Sequence, residues 1–351
     1  MKKILIKIAV LAAMVVLITG FIKDSCYAQT SGKYKDMKYV VSGNQVTITK
    51  YTGNAVKVVI PGSIEGKPVR VIGKNAFKWD TSLEEVIIAG KVNVIEKNAF
   101  AYCYKLKKVT LKKGIHDIGV NAFAYCTRLE NISMEKGLKT IGAGALKGCR
   151  KISEIKIPAG VTTVGAEAFE YCYNMKKIVL PDSIKTIGSS AFYCCKSLKT
   201  INVPAKLEKI SNSTFAKCIR LEKISINSKV AKISDYAFEN CTSLKKISIP
   251  SSVITIGNGA FWNCKKMTSV VLHRGTVNIN EAAFANCKSL TSITIPDSVT
   301  KIKQYAVGFN YNESDSVWNY KKSSKLMIFG KDKSYIQEYA KTNKIKFTVI
   351  D

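Results

Sequence analysis

Apolar residues return every 23 positions through most of this chain, without insertion or deletion. The stretch Val161 to Pro181, VTTVGAEAFEYCYNMKKIVLP, shows the pattern most clearly, and it recurs at once as SIKTIGSSAFYCCKSLKTINVP, ending at Pro204. A third copy, SVITIGNGAFWNCKKMTSVVLH, spans Ser252 to His273. Phe77, Phe100, Phe123, Phe169, Phe192, Phe215, Phe238, Phe261 and Phe284 keep the interval, and Leu146 and Val307 fill the slot in the two coils without Phe. A β-branched column runs beside them through Ile72, Ile95, Ile118, Ile141, Val164, Ile187, Ile210, Ile233, Ile256, Ile279 and Ile302. Cys103, Cys126, Cys149, Cys172, Cys195, Cys218, Cys241, Cys264 and Cys287 hold the same spacing. A fixed period of this length, sustained this long, predicts a solenoid in which each coil packs on its neighbours.

Each coil divides into slots. Gly119, Gly165 and Gly188 follow the β-branched column, where a sharp bend or a positive φ suits glycine. Glu96, Ser211, Ser234, Asn280 and Lys303 hold that slot elsewhere, so positive φ is not obligatory there. Next comes Ala-Phe-x-x-Cys-x-x-Leu, as in Ala168 to Met175, whose apolar residues three apart predict a short helical or 3₁₀ turn. The period then changes to two: Ile178 and Leu180 are expected to point inward and Val179 outward. Pro158, Pro181, Pro204, Pro250 and Pro296 end these strands. Pairing them in parallel at about 4.7–4.9 Å gives a rod or arc on the order of 50 Å long for eleven coils.

The ends depart from the repeat. Lys38 to Ile60 alternates around Gly43-Asn44 and Gly53-Asn54, which predicts short hairpin strands covering the first apolar layer. After Tyr305 the register is lost, and Gly308 to Ser324 reads as a polar and aromatic insertion. Ser334 to Thr342 predicts a helix capped by Ser334, with Ile336, Tyr339 and Ala340 on its apolar face, and Lys346 to Ile350 a last strand. The expected organisation is a leader over 1–28, an N-terminal β cap over 29–70, a solenoid of about eleven coils over 71–310 and a C-terminal cap over 311–351.

The chain opens Met1-Lys2-Lys3, runs mostly apolar from Ile4 to Ile22, and reaches the small-x-small site Cys26-Tyr27-Ala28. This reads as a secretory signal peptide cut after Ala28; the rival reading is a retained membrane anchor. Lipid modification of Cys26 is disfavoured by Lys23-Asp24-Ser25, which lacks the apolar residue such a site uses. No comparable apolar run follows Thr30. The net charge is +30, and removing the leader, with its four lysines and one aspartate, leaves +27. Such an excess favours anionic partners. For a secreted chain these are protein surfaces or anionic polysaccharide and cell-wall polymers, with nucleic acid disfavoured. The bland alternative is that the lysines only confer solubility.

The slots Ile-Gly-x-x-Ala-Phe-x-x-Cys-x-x-Leu-x-x-Ile-x-Ile-Pro resemble the leucine-rich repeat of the BspA-like surface proteins, from Val71 to Pro296 at full strength. The opening Gly43 to Gly53 and the closing Ile328-Phe329-Gly330, Ser334, Tyr339-Ala340 and Phe347 look like that family's terminal segments. The resemblance implies an α/β-type leucine-rich-repeat solenoid with a parallel sheet on one face. It also implies a secreted or cell-surface protein associated with adhesion, and it brings no catalytic residues. The Leu146 coil and His273, in place of the usual Pro, depart from it. No Leu-Pro-x-Thr-Gly sorting motif is present.

Nine regularly spaced cysteines invite a disulfide or metal reading, but stacked side chains sit about 5 Å apart and parallel, too far for S–S closure. No Cys-x-x-Cys or Cys/His cluster suggests a metal. The column reads as a reduced, stacked structural ladder of small hydrophobes, and Cys194 as the exposed thiol. His116 and His273 lie seven coils apart, and no nucleophile, phosphate-loop or dinucleotide motif occurs, so neither enzyme chemistry nor a cofactor is expected.

The outward strand positions carry the functional expectation. Lys107, Lys108, Lys156, Lys176, Lys177, Lys199, Lys223, Lys245 and Lys246 oppose Glu130, Glu154 and Glu222, making this face basic. Solenoids use such faces for binding. Tyr102, Tyr125, Tyr171, Tyr193 and Trp262, read as one column just before the cysteines, are a candidate aromatic contact strip, with packing between coils as the alternative. The expected protein is a monomeric, non-catalytic adhesin for host matrix proteins or anionic surface polymers. The alternative is a wall-associated structural protein held by charge alone.

Overall fold

The computed structural model describes residues 29–311 and 320–350; the leader expected over 1–28 lies outside the described residues. The chain winds as a β-solenoid of about 13 coils of ~23 residues. Three- and four-residue strands stack in parallel at the period of the sequence: Glu85 pairs with Lys108, and Lys108 with Asn131. In Lys177–Val179 the inward Ile178 is buried and the outward Val179 is 43 % exposed. Leu180 is buried on the same side as Ile178.

The β-branched column makes a second parallel sheet, which the sequence pattern does not reveal. Its two-residue strands, such as Asp117–Ile118 and Thr140–Ile141, pair Ile118 with Ile141 and continue coil by coil. Two residues are too short to show an alternation, so only the buried Ile of each pair is visible in the sequence. Neither sheet is continuous. The strand sheet is interrupted between Asn131–Met134 and Glu154–Lys156, between Lys177–Val179 and Thr200–Asn202, and between Lys223–Ser225 and Lys246–Ile249. The narrow sheet is interrupted between Thr186–Ile187 and Lys209–Ile210. At the second of the strand-sheet gaps the Asn202 amide fills in, donating to the Leu180 carbonyl at 2.9 Å.

The short turn around each Phe takes the form of overlapping β-turns. In one coil the amides of Ala99, Ala101 and Cys103 donate to the carbonyls of Glu96, Asn98 and Phe100. Asn98 and Tyr102 adopt φ of 58° and 64°. These left-handed positions recur at the 23-residue interval, from Asn75 through Asn121, Glu167 and Ser213 to Tyr305, and from Trp79 through Tyr171 and Lys217 to Asn286. Non-glycine residues pay a steric cost there, least for Asn. In compensation, Asn98, Phe100 and Tyr102 donate their N–H groups to Val120, Ala122 and Ala124 of the next coil, at 2.7–2.9 Å. The glycine slot has a different reason from the one expected. Gly119, Gly165 and Gly188 lack positive φ; a Cβ at Gly188 would collide with the Ala166 backbone of the preceding coil.

The inside is a stack of identical layers. Phe77, Phe100 and Phe123 lie ring on ring at 4.7 and 5.1 Å, and Tyr51 opens the stack at 4.9 Å from Phe77. Leu146 interrupts it, and Phe169 through Phe284 resume at 5.0–5.5 Å. Every phenylalanine ring of the stack is buried, and Tyr51 at its end is half-buried.

At the N-terminal end, Thr30–Tyr34, Met37–Ser42 and Gln45–Tyr51 form an antiparallel meander turning at Gly43. Its last strand then pairs in parallel with Lys67–Ile72. Gly53-Asn54 is not a hairpin. It is a corner between the sheets, because Lys57–Ile60 joins Glu85–Ile88 on the other face. At the C-terminal end Met327–Gly330 and Lys346–Val349 extend the strand sheet. The helix Tyr335–Thr342 buries Ile336 and Ala340 and is capped by Ser334, whose side chain accepts from Gln337 N–H. The Tyr339 hydroxyl donates to the Val307 carbonyl at 3.0 Å, tying the helix to the last coil.

Truncating a ring in such a stack removes contacts on both sides. Phe192→Ala is expected to cost about 3–5 kcal/mol, whereas Lys199→Ala, at an exposed outward position, should stay within about 0.5 kcal/mol. Denaturant unfolding of the two variants checks this, and equal losses would contradict the assignment of inside and outside.

Candidate interaction surface

The structure places all nine candidate lysines on the strand side of the solenoid, each exposed. Lys108, Lys156, Lys177, Lys223 and Lys246 lie in the strands, while Lys107, Lys176, Lys199 and Lys245 immediately precede them. Inter-coil pairing aligns Lys177 with Glu154 and Lys223 with Thr200. Lys107 and Lys108 are partly neutralised: Lys107 Nζ lies 2.8 Å from Glu84 and Lys108 Nζ 3.4 Å from Glu85. The hydrogen bond from Lys107 holds the Glu84 carboxyl below the usual carboxylate range, and the ion pairs with Lys57, at 3.2 Å, and Lys108 do the same for Glu85. Among the described residues, the other seven candidate lysines have no such partner. Exposed Val59, Val179 and Val271 put apolar spots among them. Where the sheet parts beside Asn131–Met134, the half-buried Ile132 and Met134 line a groove of about 670 Å³ that also includes Lys113, Lys136 and Lys156.

The aromatic residues do not form one strip. Tyr102, Tyr125 and Tyr171 immediately precede a ladder cysteine, whereas Tyr193 and Trp262 stand two residues before theirs. Tyr102 stacks between Trp79 at 4.1 Å and Tyr125 at 5.2 Å. Beyond Tyr125 the column is broken by Gly148, over which the Tyr125 ring lies. Tyr171 meets Tyr193 edge-on at 5.8 Å. Trp262 belongs to a separate cluster with Tyr236, Tyr305 and Tyr320.

The cysteine ladder is buried throughout, and all ten described cysteines are free thiols. Each of the nine donates its Sγ–H to the carbonyl of the Phe-slot residue 26 positions earlier, in the preceding coil. Examples are Cys103 to Phe77 at 3.1 Å, Cys172 to Leu146 at 3.3 Å and Cys287 to Phe261 at 3.3 Å. Reading cysteine as a small hydrophobe therefore missed its role as donor to a buried carbonyl. Cys194 corrects the expectation of an exposed thiol. It is 7 % exposed, because its left-handed backbone sits inside the inter-coil turn ladder, with its N–H bonded to the Ala216 carbonyl.

Among the described residues no group of three or more His, Cys, Asp or Glu side chains is placed to hold a metal ion. His116 is exposed, and His273 pairs with the Ser248 hydroxyl at 2.9 Å; the two do not meet. No helix of the described residues is long and apolar enough to cross a membrane. A partly buried ionic cluster that the repeat pattern does not show links the Leu146 coil to the next one. Lys147 Nζ lies 2.6 Å from Glu167 and 2.7 Å from the largely buried Glu170. Burial works against the Lys147 charge, but its hydrogen bond to Glu167 and its ion pair with Glu170 outweigh that and raise the ammonium pKa.

This geometry is that of a leucine-rich-repeat solenoid. The family of BspA-type leucine-rich repeat regions matches residues 70–199, 162–274 and 185–317; the chain belongs to it. A leucine-rich repeat protein from Bacteroides ovatus is 26 % identical, with a TM-score of 0.66 over 91 % of this chain and 100 % of that one. A leucine-rich repeat protein of T. pallidum is 24 % identical over 68 % of this chain and 91 % of its own, with a TM-score of 0.46. A leucine-rich cell surface protein from Faecalibacterium prausnitzii is 22 % identical over 78 % of this chain and 94 % of its own, with a TM-score of 0.35. No curated protein matches the chain.

The thiol ladder predicts a pH dependence. Burial pushes Cys172 up to about 12 and raises Cys126, Cys149, Cys195, Cys218, Cys241 and Cys264 likewise. Their folded pKa values lie above the unfolded value of about 8.5. The stabilisation is therefore complete below that pH and is lost as pH rises toward 12. The denaturation midpoint is expected to fall steeply between pH 8 and pH 11, and a thiol reagent at pH 8 should label the ladder only after unfolding. A flat profile with immediate labelling of all ten would contradict the ladder.

Proposed function

We propose that this chain acts outside the cell as a non-catalytic binding protein, an adhesin that holds an anionic partner on its lysine-bearing strand face. The partner chemistry is an acidic patch of a matrix protein or an anionic surface polymer. One observation carries the reading: seven candidate lysines lie exposed along one face with no carboxylate partner among the described residues. A protein of +30 net charge concentrates anionic partners over its surface, and an extended solenoid face offers them many contacts at once. The exposed valines between the lysines supply the apolar contacts that charge alone does not. Membership of the BspA-type family and the leader-like N-terminus support the extracellular setting.

Replacing Lys107, Lys108, Lys176, Lys177, Lys245 and Lys246 by Glu reverses the face without touching the core. Retention on a purified anionic wall polymer and on immobilised matrix protein should fall roughly tenfold or more, and raising salt should weaken the unaltered protein as well. Unchanged retention in both tests would reject this face as the binding surface.

A further inference from the structure

We propose that a second, independent site for an organic ammonium ion lies on the turn-bearing side near the C-terminal end, in the pocket formed by Tyr236, Trp262, Tyr305, Tyr320, Glu239 and Glu281. The pocket has a volume of about 510 Å³ and is completed by Asn258, Gly259 and Ala282. Its wall is built from successive coils: Tyr236, Gly259, Ala282 and Tyr305 occupy the same left-handed turn position. Only at Gly259 is the side chain missing, and the Tyr236 ring occupies the space so left; a Cβ at Gly259 would lie 2.6 Å from that ring. Tyr236 is 48 % exposed, so its ring is presented to the pocket and to solvent. Tyr305 stacks on Tyr320 at 4.4 Å, and Trp262 lines the space with them, forming the opposite wall.

The chemistry of the lining selects the class of ligand. Among the described residues, four aromatic rings and two carboxylates line the space and no lysine or arginine does, although the chain holds 55 of those residues against 25 acidic ones. Aromatic faces attract weakly hydrated cations, and quaternary ammonium groups are recognised in this way. Burial raises the Glu239 pKa against the opposing field of Lys217 and a hydrogen bond from Asn240, which marks this carboxylate as held in a partly dry setting. A cation placed there would offset that cost. The site is separate from the lysine-bearing strand face and does not rest on the function proposed for it.

The test uses choline as the probe and its neutral isostere 3,3-dimethylbutan-1-ol as the control, measured by titration calorimetry on the intact protein. Choline should bind saturably and the isostere at least roughly tenfold more weakly. Tyr236→Ala and Glu281→Gln should each weaken choline roughly fivefold or more with melting temperature unchanged, while Lys246→Glu should leave choline affinity intact. Sedimentation with phosphatidylcholine vesicles that depends on Tyr236 would assign the ammonium group to a lipid headgroup; choline binding without it would assign it to a soluble or polymer-borne group. Equal affinity for choline and the isostere, no saturable choline binding at tens of millimolar, or wild-type affinity in both Tyr236→Ala and Glu281→Gln would overturn the site. A neutral disaccharide bound in its place would do so too.

Discussion

The structure depends on how each coil satisfies the peptide groups at the centre of a dry apolar stack. A buried amide or carbonyl without a partner is costly. Here the Phe-slot residue donates its N–H to the next coil, as Phe192 does to Thr214 at 2.9 Å, while its carbonyl receives a thiol from that same coil, as Phe192 does from Cys218 at 3.2 Å. Two left-handed residues flanking the Phe, such as Ser190 and Cys194, belong to the same inter-coil ladder, and each donates its own N–H to the next coil. Ring, thiol and strained backbone therefore act as one device, and it repeats because each coil completes its neighbour's hydrogen bonds.

That device explains why the sheets can break. Between Thr186–Ile187 and Lys209–Ile210 the narrow sheet is interrupted, and nearby the strand sheet parts as well. The turn ladder runs on across this junction: Ser190, Phe192 and Cys194 donate to Asn212, Thr214 and Ala216 at 2.8–2.9 Å. Cohesion resides on the turn side, which leaves the strand face free to vary its outward residues. A long basic surface and local grooves such as that beside Ile132 and Met134 follow from this division of labour.

Much of the fold was legible because its period is fixed and its slots hold distinctive residues. Phe192, Cys195 and Ile187 return at one spacing, and Ile178 against Val179 shows which strand residues face inward. The helix near the C-terminus was readable from its cap at Ser334 and its apolar face. Other features left no such mark. Positive φ falls on Asn98, Glu167, Lys217 and Tyr305 alike, so no residue type betrays it, and the glycines that drew attention answer close backbone approach instead. Cys194 looked exposed because it departs from the cysteine column, yet the next coil covers it. The pocket around Tyr236 was illegible because its walls come from several coils and from Tyr320 in the strand Tyr320–Lys322 beyond them, which no single repeat contains. The lysine face could be located from alternation alone, but the Glu84 and Glu85 pairing that neutralises its first two members required the inter-coil register.

Native-state hydrogen exchange measured amide by amide tests the central claim most directly. If the ladder carries cohesion, the amides of Phe100, Phe192 and Phe238 should be among the slowest in the protein, exchanging only with opening of the whole stack, and slower than those of Glu154–Lys156 beside the sheet gap. Phe-slot amides that exchange as fast as those of the outward strand residues would show that the coils are not held together in this way.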